Sequence, residues 1–203
     1  ERLPDLVSSS DPNFRPVGIT VGPDGALYMM DWHNAIIGHM QHHLRDPNRD
    51  PIHGRIYRIT YEGRPLLKQP KIYNASIPAL LELLREPENH VRELVKIELG
   101  KHDAKTVTDA VKVWVGKLDK KDPLYPHLLT EALWVHQWHN VINEPLLRQL
   151  LRFPEPNVRA AATRVLCYWG DRIPDTLALL KVQAGDESPR VRLHAVRAAS
   201  FFA

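Results

Sequence analysis

Four segments of this chain, HVRELVKIEL, LYPHLLTEALW, NVRAAATRVLCYW and RVRLHAVRAAS, align on their first apolar residues Val91, Tyr125, Val158 and Val191. The spacings are 34, 33 and 33 residues. Each segment then places mostly apolar or small residues three, four, seven and eight positions on, as Ala161, Ala162, Val165 and Leu166 do. That is one helix stripe written four times, and a stripe repeated at fixed spacing can be buried only by its neighbours in a stack. A partner helix precedes each: SIPALLELLRE, AKTVTDAVKVWVGKL, NEPLLRQLLRF and IPDTLALLKVQ. Pro78, Pro145 and Pro174 sit where a first turn is expected, and Ser76 and Asn143 stand at N-cap positions. The pattern predicts four helical hairpins stacked as an α-solenoid over residues 77–203.

Before that the period is two. PVGITV and ALYMMDW read as strands joined by GPDG, whose Asp-Gly pair suits a tight hairpin, and GRIYRITY reads as a third. Residues 1–64 are therefore expected to form a small antiparallel β unit with open edges, and residues 65–76 a linker. The fold class expected is mainly α: a solenoid of about four helix pairs preceded by this β unit.

Composition removes several functions. The formal charge is +3, with seven basic and eight acidic residues before Pro65 and the remaining twenty and sixteen after it. Neither half is a nucleic-acid or membrane footprint, so no nucleic-acid partner and no membrane insertion are expected. The single cysteine, Cys167, excludes an internal disulfide, a CxxC zinc knuckle and a CxxCH haem site, and its apolar flanks suit a small core residue better than a nucleophile. No apolar run is long enough to span a bilayer, and the first residues do not form a signal peptide. GxSxG, P-loop and GxGxxG motifs do not occur. Trp114, Trp134, Trp138 and Trp169 recur at helical spacing and read as core. Arg92, Arg159 and Arg192 follow the first apolar residue of their helices and would form a structural ladder binding neighbouring repeats or their turns.

Two resemblances follow from these strings. PENHVRELVKIELGK, PEPNVRAAATRVLCYWGD and DESPRVRLHAVRAAS resemble HEAT repeats, whose second helices open on a proline or aspartate turn followed by Val-Arg. The second repeat departs from this, with Tyr125-Pro126 in place of Val-Arg. FRPVGITVGPDGALYMMDWHN followed by GRIYRITY is similar to a blade of the β-propellers of soluble sugar and sorbosone dehydrogenase-like proteins. The longer string DWHNAIIGHMQHHLRDPNRDPIHGRIYRITY ahead of helical repeats resembles the large exported proteins of Planctomycetes and Verrucomicrobia known as membrane-bound dehydrogenase domain proteins. These join a dehydrogenase-like propeller to HEAT repeats and often to a cytochrome c domain. The resemblance implies a periplasmic or secreted location and a piece of a longer protein, carrying the last blade and the first four repeats. It further implies that the solenoid's concave face binds neighbouring domains of the same polypeptide or another protein.

Five of the eleven histidines fall between Asp31 and Arg55, and three readings of that loop stand side by side. In the first, His39 and His43 lie i, i+4 on a helical turn and share a metal, with His53 or Asp46 as third ligand, although Met40 and Gln41 replace the glutamate of HExxH. In the second, Asp46-Pro47, Asn48 and Asp50-Pro51 are turn formers, and Arg45, Arg49 and Arg55 pair with Asp31, Asp46 or Asp50 to hold one self-packed shape. In the third, carried by the propeller resemblance, the loop lines one mouth of a propeller and touches a ligand through His39, His42, Arg49 and His53. Quinone-dependent relatives place their cofactor over the propeller axis with a histidine as general base. None of that constellation can be placed here, so neither a catalytic residue nor a cofactor is assigned to this chain. The function expected is a non-catalytic, protein-binding module of a dehydrogenase-like protein; the alternative is a portion of a quinone- or cytochrome-linked sugar or alcohol dehydrogenase whose loop 31–55 contributes to a ligand or metal site.

Overall fold

A computed structural model describes residues 3–36 and 46–202, which fall into two compact units, Glu1–Gln69 and Pro70–Ala203. In the first unit, β1 (Pro16–Val21), β2 (Leu27–Asp31) and β3 (Arg55–Ile59) form a three-stranded antiparallel sheet with β2 in the middle. Register pairs Ile19 with Met29 and Met29 with Tyr57, and slips once between Pro16 and Gly18. The β1–β2 turn closes through Gly25 N–H to the Gly22 carbonyl at 3.0 Å and Gly22 N–H to the Ala26 carbonyl at 2.9 Å. Gly25 has φ +72°, so the reversal is a type I turn finished by a left-handed glycine, the usual three-residue hairpin. Asp24 locks it by accepting from Ala26 N–H, Tyr28 Oη and Arg58. The sheet buries Met29 but leaves Val17, Ile19, Val21 and Ile56 largely exposed, as expected of a unit with little core of its own.

The second unit contains eight α-helices in four hairpins: α1 (Ile77–Glu82) with α2 (Asn89–Leu99), α3 (Ala104–Gly116) with α4 (Tyr125–Trp138), α5 (Glu144–Leu151) with α6 (Pro156–Trp169), and α7 (Thr176–Ala184) with α8 (Pro189–Ala199). This is the helical stack that the period predicts. The stripe is buried at Val91, Val95 and Leu99, at Val158, Ala162, Val165 and Leu166, and at Val191, Ala195 and Ala198. Two positions break it, His194 in α8 and Glu98 in α2. Glu98 is buried in the stripe of α2, where its carboxylate accepts from Asn74 N–H at 3.0 Å and from Lys101 Nζ at 2.6 Å. In the second hairpin the stripe broadens until α4 is buried on most sides, from Leu128 through Leu133.

One helix-start expectation is corrected. Pro174 precedes α7 rather than lying in its first turn, because Asp175 takes the N-cap position. Ser76 occupies the N-cap of α1 but makes no side-chain cap bond. Asn143 does cap, accepting from Leu146 N–H at 3.2 Å, and so does Asp103, from Thr106 N–H at 2.9 Å. The reading of the tryptophans as core holds for Trp114 and Trp169, but Trp138 is 49% exposed. Trp138 is the last residue of its helix, with one edge of its indole against Gly100 at the end of α2.

The arginine ladder is present and has a repeated form. Arg92, Arg159 and Arg192 each reach back to carbonyls of the turn that precedes their own helix: Glu86, then Phe153 and Pro154, then Asp186 and Glu187. Two of them also cross to the next hairpin, Arg92 to Glu131 at 3.0 Å and Arg159 to Asp186 at 2.7 Å. Arg85–Asp122 at 2.6 Å and Arg148–Asp175 at 2.5 Å add further inter-hairpin pairs.

Candidate functional site

In the β unit the loop that follows β2 returns to a cluster around Arg55. Asp31, fully buried at the end of β2, accepts from Arg15 N–H at 2.7 Å and His33 N–H at 2.9 Å, and its second oxygen faces Arg55 Nε at 3.2 Å. Burial works against its charge, yet the two backbone N–H groups and the guanidinium hold its pKa below the usual carboxylate value. Arg55 also donates to Asp11 at 2.5 Å and lies against His33 Nδ1. His33 has φ 52°, a left-handed backbone that an L residue adopts only when fixed by its surroundings, and its Nε2 approaches Asp50 at 3.5 Å.

Asp50 serves mainly its own turn. It accepts from His53 N–H at 3.0 Å and Ile52 N–H at 3.1 Å, and these, with the His53 ring, lower its pKa to about 2. His53 Nδ1 sits 2.8 Å from Asp50, which orients the ring and leaves Nε2 on a side chain 71% exposed. An oriented, exposed imidazole of this kind can hydrogen-bond a partner through Nε2. Asp46 accepts from Asn48 and closes a turn in which Arg49 N–H donates to the Asp46 carbonyl at 3.0 Å. Of the residues singled out from sequence, His53 and Arg49 are thus placed on this turn, whereas His39, His42 and His43 lie outside the described residues, as does Arg45. Among the described residues no three His, Cys, Asp or Glu side chains converge as a metal site would require.

The helical unit holds a second candidate. The second helices of three successive hairpins line a trough of about 1050 Å³. From α2 come Arg92 and Lys96, from α4 His127, Trp134 and Trp138, and from α6 Arg164. At its floor Glu131 is 1% exposed, held by Arg92 at 3.0 Å, Lys96 Nζ at 2.7 Å and, more loosely, His127 Nε2 at 3.6 Å. Lys96 lies over the Trp134 ring, 5.6 Å from its centroid. Burial pushes His127 below the ordinary histidine value; Glu131 opposes this, but Arg92 and Lys96 reinforce it. The sequence carries one signal for this trough, a lone glutamate inside the apolar run LLTEALW, which the helical period does not explain.

Comparison with known families gives two matches. Residues 143–203 match a family described as HEAT repeats, and residues 1–63 match a domain of unknown function, DUF7133. Comparisons with curated proteins and with solved structures returned no match. HEAT repeats generally mediate protein–protein contacts, and the match covers the last two helical hairpins, α5–α6 and α7–α8.

Proposed function

We propose that this chain is a protein-binding helical module whose contact surface is the trough along α2, α4 and α6, continued on α8. The observation that carries the reading is the trough itself: a continuous recess on the second helices, with Trp138 half exposed over a floor cross-braced by Arg92, Lys96 and Glu131. Rigid support under an exposed aromatic residue is the arrangement of an interface anchor. Packing supports placing the α4–α6 part of the trough on the concave side. Helices α4, α6 and α8 pack on one another in succession, whereas α3, α5 and α7 hardly touch, so from α4 onward the second helices trace the shorter arc.

The β unit extends the proposal. Its hairpin, its third strand and the DWHN…HGR loop between them resemble a propeller blade of an exported dehydrogenase-like protein, and the partner is then a neighbouring domain of that parent polypeptide. Photocrosslinking tests both parts. With a benzophenone amino acid in place of Trp138 or Gln137, both lining the trough, crosslinks to the flanking domains of the parent protein are expected. The same probe at Lys112, on the exposed face of α3, is expected to give none. Equal crosslinking from Lys112, or none from either trough position, refutes the reading.

A further inference from the structure

Beyond the trough, α6 and α8 enclose a pocket of about 390 Å³ whose lining differs in kind from the rest of the helical unit. Four arginines of the helical unit, Arg85, Arg92, Arg148 and Arg159, each meet a carboxylate. Arg164 and Arg197 both line this pocket, and neither guanidinium meets a carboxylate or a carbonyl among the described residues. The one acid in the lining, Asp171, faces Arg172 at 3.6 Å instead. His194 lines the pocket with them, and burial first, then Arg164, Arg190 and Arg197, push it below the ordinary histidine value. The basic groups here repel one another, and a bound anion would relieve that repulsion.

The other half of the lining is apolar. Phe201, Phe202 and Ala198 form it, and the Phe202 ring packs so closely on Gly170 that any side-chain carbon there would collide with it. Glycine at 170 is therefore what lets the aromatic wall stand where it does. Arg164 also lines the trough described above, so the pocket continues that surface.

We propose that this pocket binds an acidic segment of the partner protein, with carboxylates of that segment paired to Arg164 and Arg197 and an adjacent apolar side chain seated against Phe201 and Phe202. The inference rests on the protein-binding reading of the trough and adds the chemistry of the partner. Planar guanidinium groups bind carboxylates in bidentate fashion, and the apolar wall supplies area that charge pairing alone lacks. A phosphate chain fits less well. Glu93 and Asp171 lie along the same surface, and a nucleic acid brings one negative charge per nucleotide and no aliphatic side chain for the apolar wall.

Fluorescence anisotropy on the full chain tests this, using a labelled short peptide alternating Glu and Leu, its Lys/Leu counterpart and oligouridylate. The Glu/Leu peptide is expected to bind, and to weaken about tenfold or more in the double variant R164E/R197E and again in about 0.5 M salt. Both arginines are exposed, so the variant is expected to keep the parent thermal midpoint. If Lys/Leu binds as tightly, or the double variant keeps its affinity for Glu/Leu, the acidic partner is refuted. If oligouridylate binds more tightly than the peptide and loses that binding in the double variant, a nucleic acid is the occupant and the proposal falls. Crosslinking from position 138 separates the two readings: it persists if only the acidic chemistry is wrong, and is absent if the trough binds no protein.

Discussion

Replacing Arg159 with alanine measures how the stack is held. Its side chain is 10% exposed and makes five bonds: Nε and Nη2 to Asp186 at 2.7 and 2.9 Å, Nη2 to Glu187 at 3.2 Å, and Nη1 to the carbonyls of Phe153 and Pro154 at 2.9 and 2.7 Å. Alanine leaves two carbonyls unpaired, at about 1 kcal/mol each, and strands a largely buried carboxylate that keeps one donor, Ser188 N–H at 2.8 Å. Removing one partner of a buried pair costs about 3–5 kcal/mol, and water reaching Asp186 through the gap lowers the figure, so about 3 kcal/mol is expected. Arg192 is the internal control. It makes the same carbonyl bonds, both at 2.8 Å, but is exposed and meets no carboxylate, so Arg192→Ala is expected to cost about 1 kcal/mol or less. Four of the five tryptophans lie in the helical unit, so urea unfolding followed by tryptophan fluorescence reports mainly on that unit. A double-mutant cycle with Asp186→Ala should return a coupling of about 2 kcal/mol. If Arg159→Ala costs no more than Arg192→Ala, the ladder does not fasten one hairpin to the next.

Acid should loosen the helical unit well before its carboxylates titrate. His136, 5% exposed, accepts from Asn143 Nδ2 at 3.0 Å, and burial pushes its pKa below 6.5, as it does for His127 and His139. The unfolded chain then binds more protons than the folded one below about pH 6.5, so stability is fully present above that pH and falls as pH drops, by up to about 1.4 kcal/mol per pH unit per histidine. The urea midpoint should fall between pH 7.5 and 5.5 and fall less in His136→Gln; an unchanged midpoint in the parent chain would contradict this. Asn143→Ala removes the α5 cap and the donor to His136 together, at about 2 kcal/mol by thermal melting. Leu166→Ala, at a fully buried stripe position, should cost about 3 kcal/mol in the same assay, more than any substitution at exposed Leu177.

The helical half was legible because its burial is periodic. Val158, Ala162, Val165 and Leu166 announce a stripe, and the next repeat announces it again, so each repeat corroborates the others. The β hairpin was legible through Gly22 to Gly25 for a different reason: a left-handed position narrows the choice of residue sharply, and Gly25 fills it. What resisted reading was anything that depends on the fate of a charge. Glu98 and Glu131 sit in helices whose patterns call for apolar residues, and only the positions of Lys101, Arg92 and Lys96 explain why a carboxylate is tolerated there. His33 was read as part of a histidine-rich loop, but its backbone strain and its contact with Arg55 are products of the sheet, which brings residues 11, 31 and 55 together from distant parts of the unit.

The arginines show where the boundary between fold and function falls. Arg159 and Arg164 lie on one helix, and Arg192 and Arg197 on another, each pair five residues apart. Five residues turn a helix through roughly 500°, so the second arginine of each pair points well away from the first. The first therefore faces the turn behind it, where carbonyls consume its donors, while the second faces the second-helix surface, where no carboxylate meets it. Their immediate flanks are alike, and in sequence only the place after the first apolar residue of the helix marks the ladder arginines. What separates them is whether an acceptor has been folded within reach. A charge left without one on a surface lined by Tyr168, Phe201 and Phe202 does nothing for the stack, and that surplus is what a partner's carboxylates can use.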